Sequence, residues 1–318
     1  MTDRLTGVAV ELAVALRDEV LPMLGRHEGR EHVPDAAAGR GAGGDITFAI
    51  DERAEAFMER FLESRAPDVA FYSEDRGLVS PGGSAEWVLV VDPIDGTRPA
   101  MAGLESACVS VALARLGSEP TMADVEAGCV VEIKSGAAFR ARRGEGLDPP
   151  PSLSRNRDPG RMFWSYGLRG RPARVVAEVL GELIDASSVR GATFELGSAT
   201  FDMTRVATGQ LDAYVEPGPR IVAELPTVRA EFERVGGGAV LNNSPYDLAA
   251  AALCLEESGA VVTDAYGRAL GDRPLLGSGV EYQISCVAAA NQELHGAICE
   301  AIDAGMERLA TMAIGRGG

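Results

Sequence analysis

Apolar positions recur along this chain with two different periods, and the changes between them mark out its elements. From Val8 to Leu24 they fall at helical spacing, with Glu11, Arg17, Asp18 and Glu19 interrupting them, which predicts an amphipathic helix. Those charges leave no long apolar centre and no basic leader, so neither a membrane span nor a signal peptide is expected in this segment. The glycine-rich, mixed-charge run from Gly25 to Gly44 predicts a mobile loop. A second helix is expected after Asp51, with Ala54, Phe57, Met58, Phe61 and Leu62 on its core face and Asp51 where an N-cap would stand. Short apolar runs predict strands at Val69–Tyr72, Trp87–Val91, Cys108–Arg115 and Gly128–Ile133. The valine-rich Trp87–Val91 is of the kind buried on both faces. Farther on, strands near Met162–Tyr166, Leu211–Glu216, Ser258–Asp264 and Ile284–Ala290 alternate with helices through Val175–Ile184, Phe201–Thr208, Asp247–Leu255 and Asn291–Ile302. Pro149-Pro150-Pro151 breaks the chain and sets a boundary between subdomains 1–150 and 151–318. The expected class is a layered α/β sandwich.

Acids stand at the ends of these runs. The buried strand at Trp87 leads directly into Asp92-Pro93-Ile94-Asp95-Gly96-Thr97, two carboxylates three residues apart with Pro93 stiffening the link and Gly96 allowing a tight turn. The strand at Val69 ends in Ser73-Glu74-Asp75, and Asp247 opens an apolar helix. Each can be read alone as turn or helix-start chemistry, since Asp, Pro and Gly favour turns and a carboxylate suits a helix N-terminus. Together, paired acids at the mouth of a sheet suit a hard cation such as Mg²⁺, which takes oxygen ligands.

Charge sharpens that reading. The 318 residues carry 46% hydrophobic and 24% charged side chains, an ordinary globular composition, with a formal net charge of −17. Such a balance argues against nucleic acid or an anionic membrane as partner. It also opposes a phosphate ester: a carboxylate about 4 Å from a phosphate charge costs roughly 4 kcal/mol at an effective dielectric near 20. An acidic phosphate site therefore has to be a metal site. The five cysteines (Cys108, Cys129, Cys254, Cys286, Cys299) are scattered, which suits reduced thiols in a cytoplasmic protein, and three histidines in no ligand pattern make zinc a poor fit.

The run Asp92 to Thr97 resembles the signature of the inositol monophosphatase family, Mg²⁺-dependent and typically lithium-sensitive phosphatases of inositol and sugar phosphates. A second aspartate three residues after the first does not fit the Asp-x-Asp-x-Thr nucleophile of the haloacid dehalogenase phosphatases. The resemblance implies the sugar-phosphatase fold, with alternating α-β-α-β-α layers, and hydrolysis of a small phosphate monoester by metal-activated water. It implies two or three Mg²⁺ held by Glu74, Asp92, the Ile94 carbonyl, Asp95 and Asp247, and a water oriented by Glu74 and by Thr97, itself supported by Asp51. Backbone N–H groups of Gly96 and Thr97 would cradle phosphate. Gly197-Ser198-Ala199 resembles the family's substrate-side loop, with an N-cap by Ser198 as the alternative reading. Glu216 matches the residue that binds a substrate hydroxyl, and Ala138–Gly146 matches a hairpin after the first sheet. A homodimer is expected from relatives. Ser73, Asp75, Tyr246 and Ala251 depart from the family pattern. A bisphosphatase acting on fructose 1,6-bisphosphate or a nucleotide bisphosphate uses the same metal core and remains an alternative, as does a phosphate-binding protein without catalysis.

Typical members run from the Glu216 strand almost directly into the Asp247 helix, whereas here Pro219 to Ser244 intervenes, with a helical Val222–Val235 and then Gly236-Gly237-Gly238. Its position beside two expected site residues suggests a movable lid, with Arg220, Arg229 and Arg234 as ligands for an anionic group; the alternative is a peripheral or dimer-contact helix.

Overall fold

The computed structural model describes residues 2–24, 47–80 and 85–315. The expected Gly25–Gly44 loop, with Asp45 and Ile46, lies outside them. The chain opens with α1 (Thr2–Leu24), whose Leu5, Val8, Leu12, Leu16, Val20 and Leu24 form one buried face, and α2 (Ala49–Arg65), which buries Ala54, Met58 and Leu62. Seven strands follow: β1 (Ala70–Ser73), β2 (Gly77–Val79), β3 (Trp87–Asp95), β4 (Cys108–Arg115), β5 (Val125–Glu132), β6 (Ala138–Arg142) and β7 (Gly146–Asp148), with the short α3 (Thr97–Ala102) after β3. They form one sheet in the order β2-β1-β3-β4-β5-β6-β7, in which β1 and β3 are parallel and β3 to β7 antiparallel.

The second half contributes β8 (Phe163–Tyr166), α4 (Ala173–Ser187), β9 (Ala192–Phe194), α5 (Ala199–Ala207), β10 (Ala213–Glu216), α6 (Gly218–Glu224), α7 (Arg229–Val235), α8 (Pro245–Ser258), β11 (Val261–Thr263), β12 (Cys286–Ala289) and α9 (Gln292–Gly315). Its five strands are ordered β11-β12-β10-β8-β9. Helices α1 and α2 cover the outer face of the first sheet, where Leu12, Leu16 and Met58 pack with Leu89, Val91 and Val111. Helices α5 and α8 lie between the sheets: Met203 and Leu248 share a core with Val88, Val90, Ala112 and Tyr214. Helices α4 and α9 close the far side, with Leu180 and Ile298 against Trp164, Val215 and Val287. This is the α-β-α-β-α layering. Pro149–Pro151 falls between β7 and β8, hence between the sheets, while α5 and α8 from the later half share the core of the first sheet. None of the described helices is long and apolar enough to cross a membrane.

Two elements differ from the sequence expectation. Strand β3 does not stop at Val91 but continues through Asp95, because Asp92 still pairs with Ser110 and Asp95 with Cys108. Two residues of β3, Pro93 and Ile94, then oppose the single Val109, which is a β-bulge. Pro93 has no N–H to give to the ladder, so the bulge absorbs it at no loss.

The 219–244 segment is not one helix but two, α6 and α7, separated by a 3₁₀ turn at Pro226–Val228. Pro226 cannot continue a helix begun before it. The segment is also not a lid. Ile221, Val222, Val228, Phe232 and Val240 belong to the core of the second sheet, with Ile221 and Phe232 completely buried. Of its arginines, Arg220 is buried against Asp303 (2.6 Å), Glu224 (2.8 Å) and the Ala265 carbonyl (2.8 Å), and Arg229 pairs with Glu233 (2.9 Å). Arg234 lines a groove shared with Arg174, Glu178 and Met312, on the α4–α9 side. Phe232→Ala is therefore expected to cost about 3–5 kcal/mol of unfolding free energy in a denaturant titration, the value for an aromatic residue of a packed core. A movable lid would lose less than about 1 kcal/mol from the same change.

Candidate functional site

Residues two apart on a strand share a face, and residues three apart do not. Val88 and Val90 face the layer between the sheets, and Leu89 and Val91 face α1 and α2. Asp92 continues the inward series. Without the bulge, Asp95 would point outward; the extra residue restores the phase, Ile94 packs into the outer core, and Asp95 comes to lie opposite Cys108 of the inner core. The two carboxylates are thereby brought to one side. Asp247, from the first turn of α8 across the interlayer, completes a cluster in which one oxygen from each acid lies within 4.8 Å of the others.

Each acid is anchored through one oxygen. Asp92 Oδ1 accepts the Ile94 N–H (2.9 Å), and Asp247 Oδ2 accepts that of Ser244 (2.6 Å). Asp95 Oδ2 accepts both the Ser198 hydroxyl (2.8 Å) and the Thr200 N–H (2.6 Å). Ser198 is at the same time the N-cap of α5, its hydroxyl oxygen accepting the Phe201 N–H (3.1 Å), so the capping reading and the site reading of this residue hold together. Gly96 joins β3 to α3 with φ +91°; a side chain there would be strained, and its Cβ would fall 2.5 Å from the Ser106 carbonyl oxygen.

Thr97 opens α3, and its hydroxyl lies 2.9 Å from Asp51 Oδ1 and 3.0 Å from the Ile94 carbonyl oxygen. Asp51 stands in the first turn of α2 instead of at its N-cap, which is Phe48; its other oxygen reaches back to the Phe48 N–H (2.9 Å). The same helix braces the turn carrying Glu74: buried Glu55 accepts the Ser73 hydroxyl (2.9 Å). Ser73, where the family pattern has glycine, thus gives this buried acid a hydroxyl partner in addition to the Asp75 backbone.

One cavity is lined by Asp51, Glu74, Asp92, Ile94, Asp95, Gly96, Thr97, Gly197 and Asp247, together with Thr47, Asp75, Arg98 and Arg169. Ser198 and Ala199 line an adjoining cavity with Asp95, Gly197 and Asp247. Of the residues expected at the site, Glu216 alone lines neither. It is fully buried, ion-paired with Arg171 and bonded to the Gly218 N–H (2.7 Å), so the substrate-hydroxyl role expected for it does not fit its surroundings. Arg169 and Arg171 were not expected. Their signal is the one that exposed the acids, charged residues directly after a strand, here β8 followed by Gly-Leu-Arg-Gly-Arg.

The first cavity gathers six carboxyl groups against two guanidinium groups. Burial pushes Asp92 well above the usual carboxylate range, and Asp95, Asp247 and Glu74 push it further. Burial also raises Asp95, against the hydrogen bonds from Thr200 and Ser198. Asp247 is pushed up to about 7, by burial first and Asp95 second, with the Ser244 N–H and Arg169 opposing. Acids so crowded resist ionisation until a cation joins them, and an all-oxygen donor set of this kind fits Mg²⁺.

A profile of the inositol monophosphatase family matches residues 3–307, and the chain belongs to that family. It is 29% identical over 310 residues to a fructose-1,6-bisphosphatase/inositol-1-monophosphatase of Methanothermobacter thermautotrophicus, covering 93% of this chain and 96% of the relative. An inositol-1-monophosphatase of Mesorhizobium japonicum is 26% identical over 81% of this chain and 83% of its own length. A protein of Vibrio cholerae named Nus factor SuhB is 26% identical over 70% of this chain and 73% of its own. Among solved structures, an inositol monophosphatase of Thermotoga maritima superposes with a TM-score of 0.67 at 20% identity, covering 96% of this chain and 99% of that one, so the fold is shared. The family is one of phosphatases that are generally metal-dependent.

Glu55, like Asp247, is pushed up to about 7, chiefly by burial. Between about pH 4 and pH 7 the folded, metal-free protein therefore holds protons that the unfolded chain has released, and stability falls as pH rises through that window. In chelator, the thermal midpoint is expected to be higher at pH 5 than at pH 7.5, and Glu55→Gln should flatten the slope. Mg²⁺ should raise the midpoint more at pH 7.5 than at pH 5, because its ligands must lose their protons.

Proposed function

We propose that this protein is a Mg²⁺-dependent phosphatase that hydrolyses a small phosphate monoester, an inositol monophosphate or a related sugar phosphate. The observation that carries this is the cluster of Asp92, Asp95 and Asp247 beside the Thr97–Asp51 pair in one cavity. Glu74, Asp92, the Ile94 carbonyl, Asp95 and Asp247 would hold two or three Mg²⁺. When bound, these ions would neutralise the acids, clamp the phosphate oxygens and make a water more acidic.

The protein's own groups supply the positioning. The Thr97 hydroxyl has a single proton and gives it to Asp51 or to the Ile94 carbonyl, which leaves its lone pairs to accept from a water. Glu74 takes that water's other proton as general base, so a lone pair of the water oxygen faces phosphorus. The N–H groups of Gly96 and Thr97 bind phosphate oxygens at the start of α3. Gly197, Ser198 and Ala199 form the wall toward the alcohol part of the ester. The five unpaired thiols favour the cytoplasm, and the exposed Phe163, Val189 and Phe194 near the β9 edge favour a homodimer. Relatives named Nus factor leave open a role without hydrolysis; the complete acid cluster favours the catalytic reading.

Phosphate release from a panel of inositol, sugar and nucleotide phosphates tests the proposal. Activity should require Mg²⁺ and vanish in chelator, and lithium should inhibit. Asp92→Asn should lower kcat beyond detection, and Thr97→Ala should lower it by about 10²–10⁴-fold, the usual weight of a positioned proton-transfer group. Full turnover in chelator, or an unaffected Asp92→Asn protein, would sink the reading.

A further inference from the structure

The 219–244 segment does more than add to the core of the second sheet. Together with the chain between β11 and β12 it walls a cavity of about 440 Å³, which shares no residue with the acidic cavity or the one adjoining it. Helix α6 contributes Val222 and Ala223, α7 contributes Arg229, and the chain between the two strands contributes Arg273, Val280 and Gln283. A chain that ran directly from β10 to α8 would lack the α6 and α7 part of this wall. Cavities of this size, apolar in the main with a few polar groups that fix orientation, are the usual form of small-molecule sites.

The charges around this cavity are matched with one exception. Arg220 is paired with Asp303 and Glu224, and Arg229 with Glu233. Asp264 is buried and turned into its own loop, where its Oδ1 accepts the N–H groups of Tyr266 and Arg268 (both 2.9 Å). Arg273 is half-buried, yet it has no carboxylate partner among the described residues, in a chain of net charge −17. Glu281 also lines the cavity but is exposed and does not pair with it. The Arg273 Nη2 donates to the Gln283 carbonyl (3.2 Å), and its Nε is shut in the interior. Its Nη1 is neither bonded nor shut away, and that is the edge an incoming acceptor meets. A guanidinium is weakly hydrated and binds carboxylate or phosphate oxygens well. An anion reaching Nη1 here would lay whatever it carries against Val222, Ala223 and Val280.

The same wall supports the acid cluster from a distance. Gln283, buried at 4% exposure, accepts from the Asn242 amide through Oε1 (2.9 Å) and donates to the Val240 carbonyl through Nε2 (2.6 Å). The next residue, Ile284, donates its N–H to the Asn243 carbonyl (2.9 Å). The stretch so held leads into Ser244, whose N–H fixes Asp247 (2.6 Å). A shift in the Arg273–Gln283 contact is therefore felt at the start of α8. We propose that this cavity is a regulatory site for a small organic anion, an apolar body carrying one carboxylate or phosphate, with Arg273 as its anchor and Gln283 as its link to α8. The site is independent of the reaction assigned to the acid cluster.

Anilinonaphthalenesulfonate, an apolar body with one anionic group, and its neutral counterpart N-phenylnaphthylamine are titrated by fluorescence into the full chain in chelator. The sulfonate should bind about ten-fold or more tightly than the neutral compound, the weight of a hydrogen bond to a charged group. Benzoate or phenylphosphonate should displace it, and the one that does so at lower concentration identifies the anionic group. Its affinity should fall about ten-fold or more in Arg273→Gln. It should fall likewise in Ala223→Phe, which fills the cavity from an exposed helix position and leaves every charge in place. Equal affinity for the two compounds, displacement by neither acid, or sulfonate binding unchanged in every variant that folds would overturn the site. Coupling between two sites is reciprocal, so saturating Mg²⁺ should change the sulfonate's affinity by about five-fold or more, and Gln283→Leu should bring that factor toward one. An affinity that Mg²⁺ leaves unchanged, or a Mg²⁺ effect that survives in full in Gln283→Leu, would overturn the link to α8 and leave the site standing.

Discussion

Mutual repulsion among three crowded acids, two of them buried and the third half-buried, is the constraint around which this fold is arranged. Asp92, Asp95 and Asp247 lie within 4.8 Å of one another in an interior that disfavours even one carboxylate. They stay together because each is tied by a backbone N–H that cannot move without unwinding the element that carries it. The donors belong to the β3 bulge, to the first turn of α5 and to the residue before α8, so the cluster forms only when the first sheet and the interlayer helices have packed. Folding and assembly of the site are one event.

Four helices begin at this place. Asp51 lies in the first turn of α2, Thr97 opens α3, Ser198 caps α5 and Asp247 lies in the first turn of α8. The partial positive charge at a helix start favours a nearby anion by about 0.3–1 kcal/mol at an exposed position and more when partly buried. Converging helix starts thus ease the burial of negative charge without supplying an ammonium or guanidinium that would compete for the cation's place. The same residues that would be dismissed as ordinary caps are the site because capping is how a helix start holds an acid in a fixed orientation.

Much of this was legible beforehand. Periodicity located the helices and strands, and acids at strand ends located Glu74, Asp92, Asp95 and Asp247. What escaped was whatever depends on contacts between distant segments. That Asp95 faces the same way as Asp92 follows from the Ser110 and Cys108 pairing on β4, which no local pattern reports. The apparent helix from Val222 to Val235 hid a break at Pro226, and its apolar positions did not say which layer they would enter. Glu216 matched its expected place on β10, yet its role turned on Arg171, some 45 residues earlier in the chain, which reaches it only because β8 and β10 are neighbours in the sheet.

The bulge in β3 separates two kinds of tolerance in this chain. Between site residues the polypeptide can lengthen freely, as the α6–α7 segment does, because extra turns are absorbed on the face of the second sheet remote from the acids. Within Asp92 to Thr97 the spacing is set from both sides, because the bulge keeps Asp92 opposite Ser110 and Asp95 opposite Cys108 while its extra residue carries Ile94 into the outer core. Divergence among chains of this architecture is then expected to be written in segment lengths between the strands, with the bulged stretch held by what packs on its two sides.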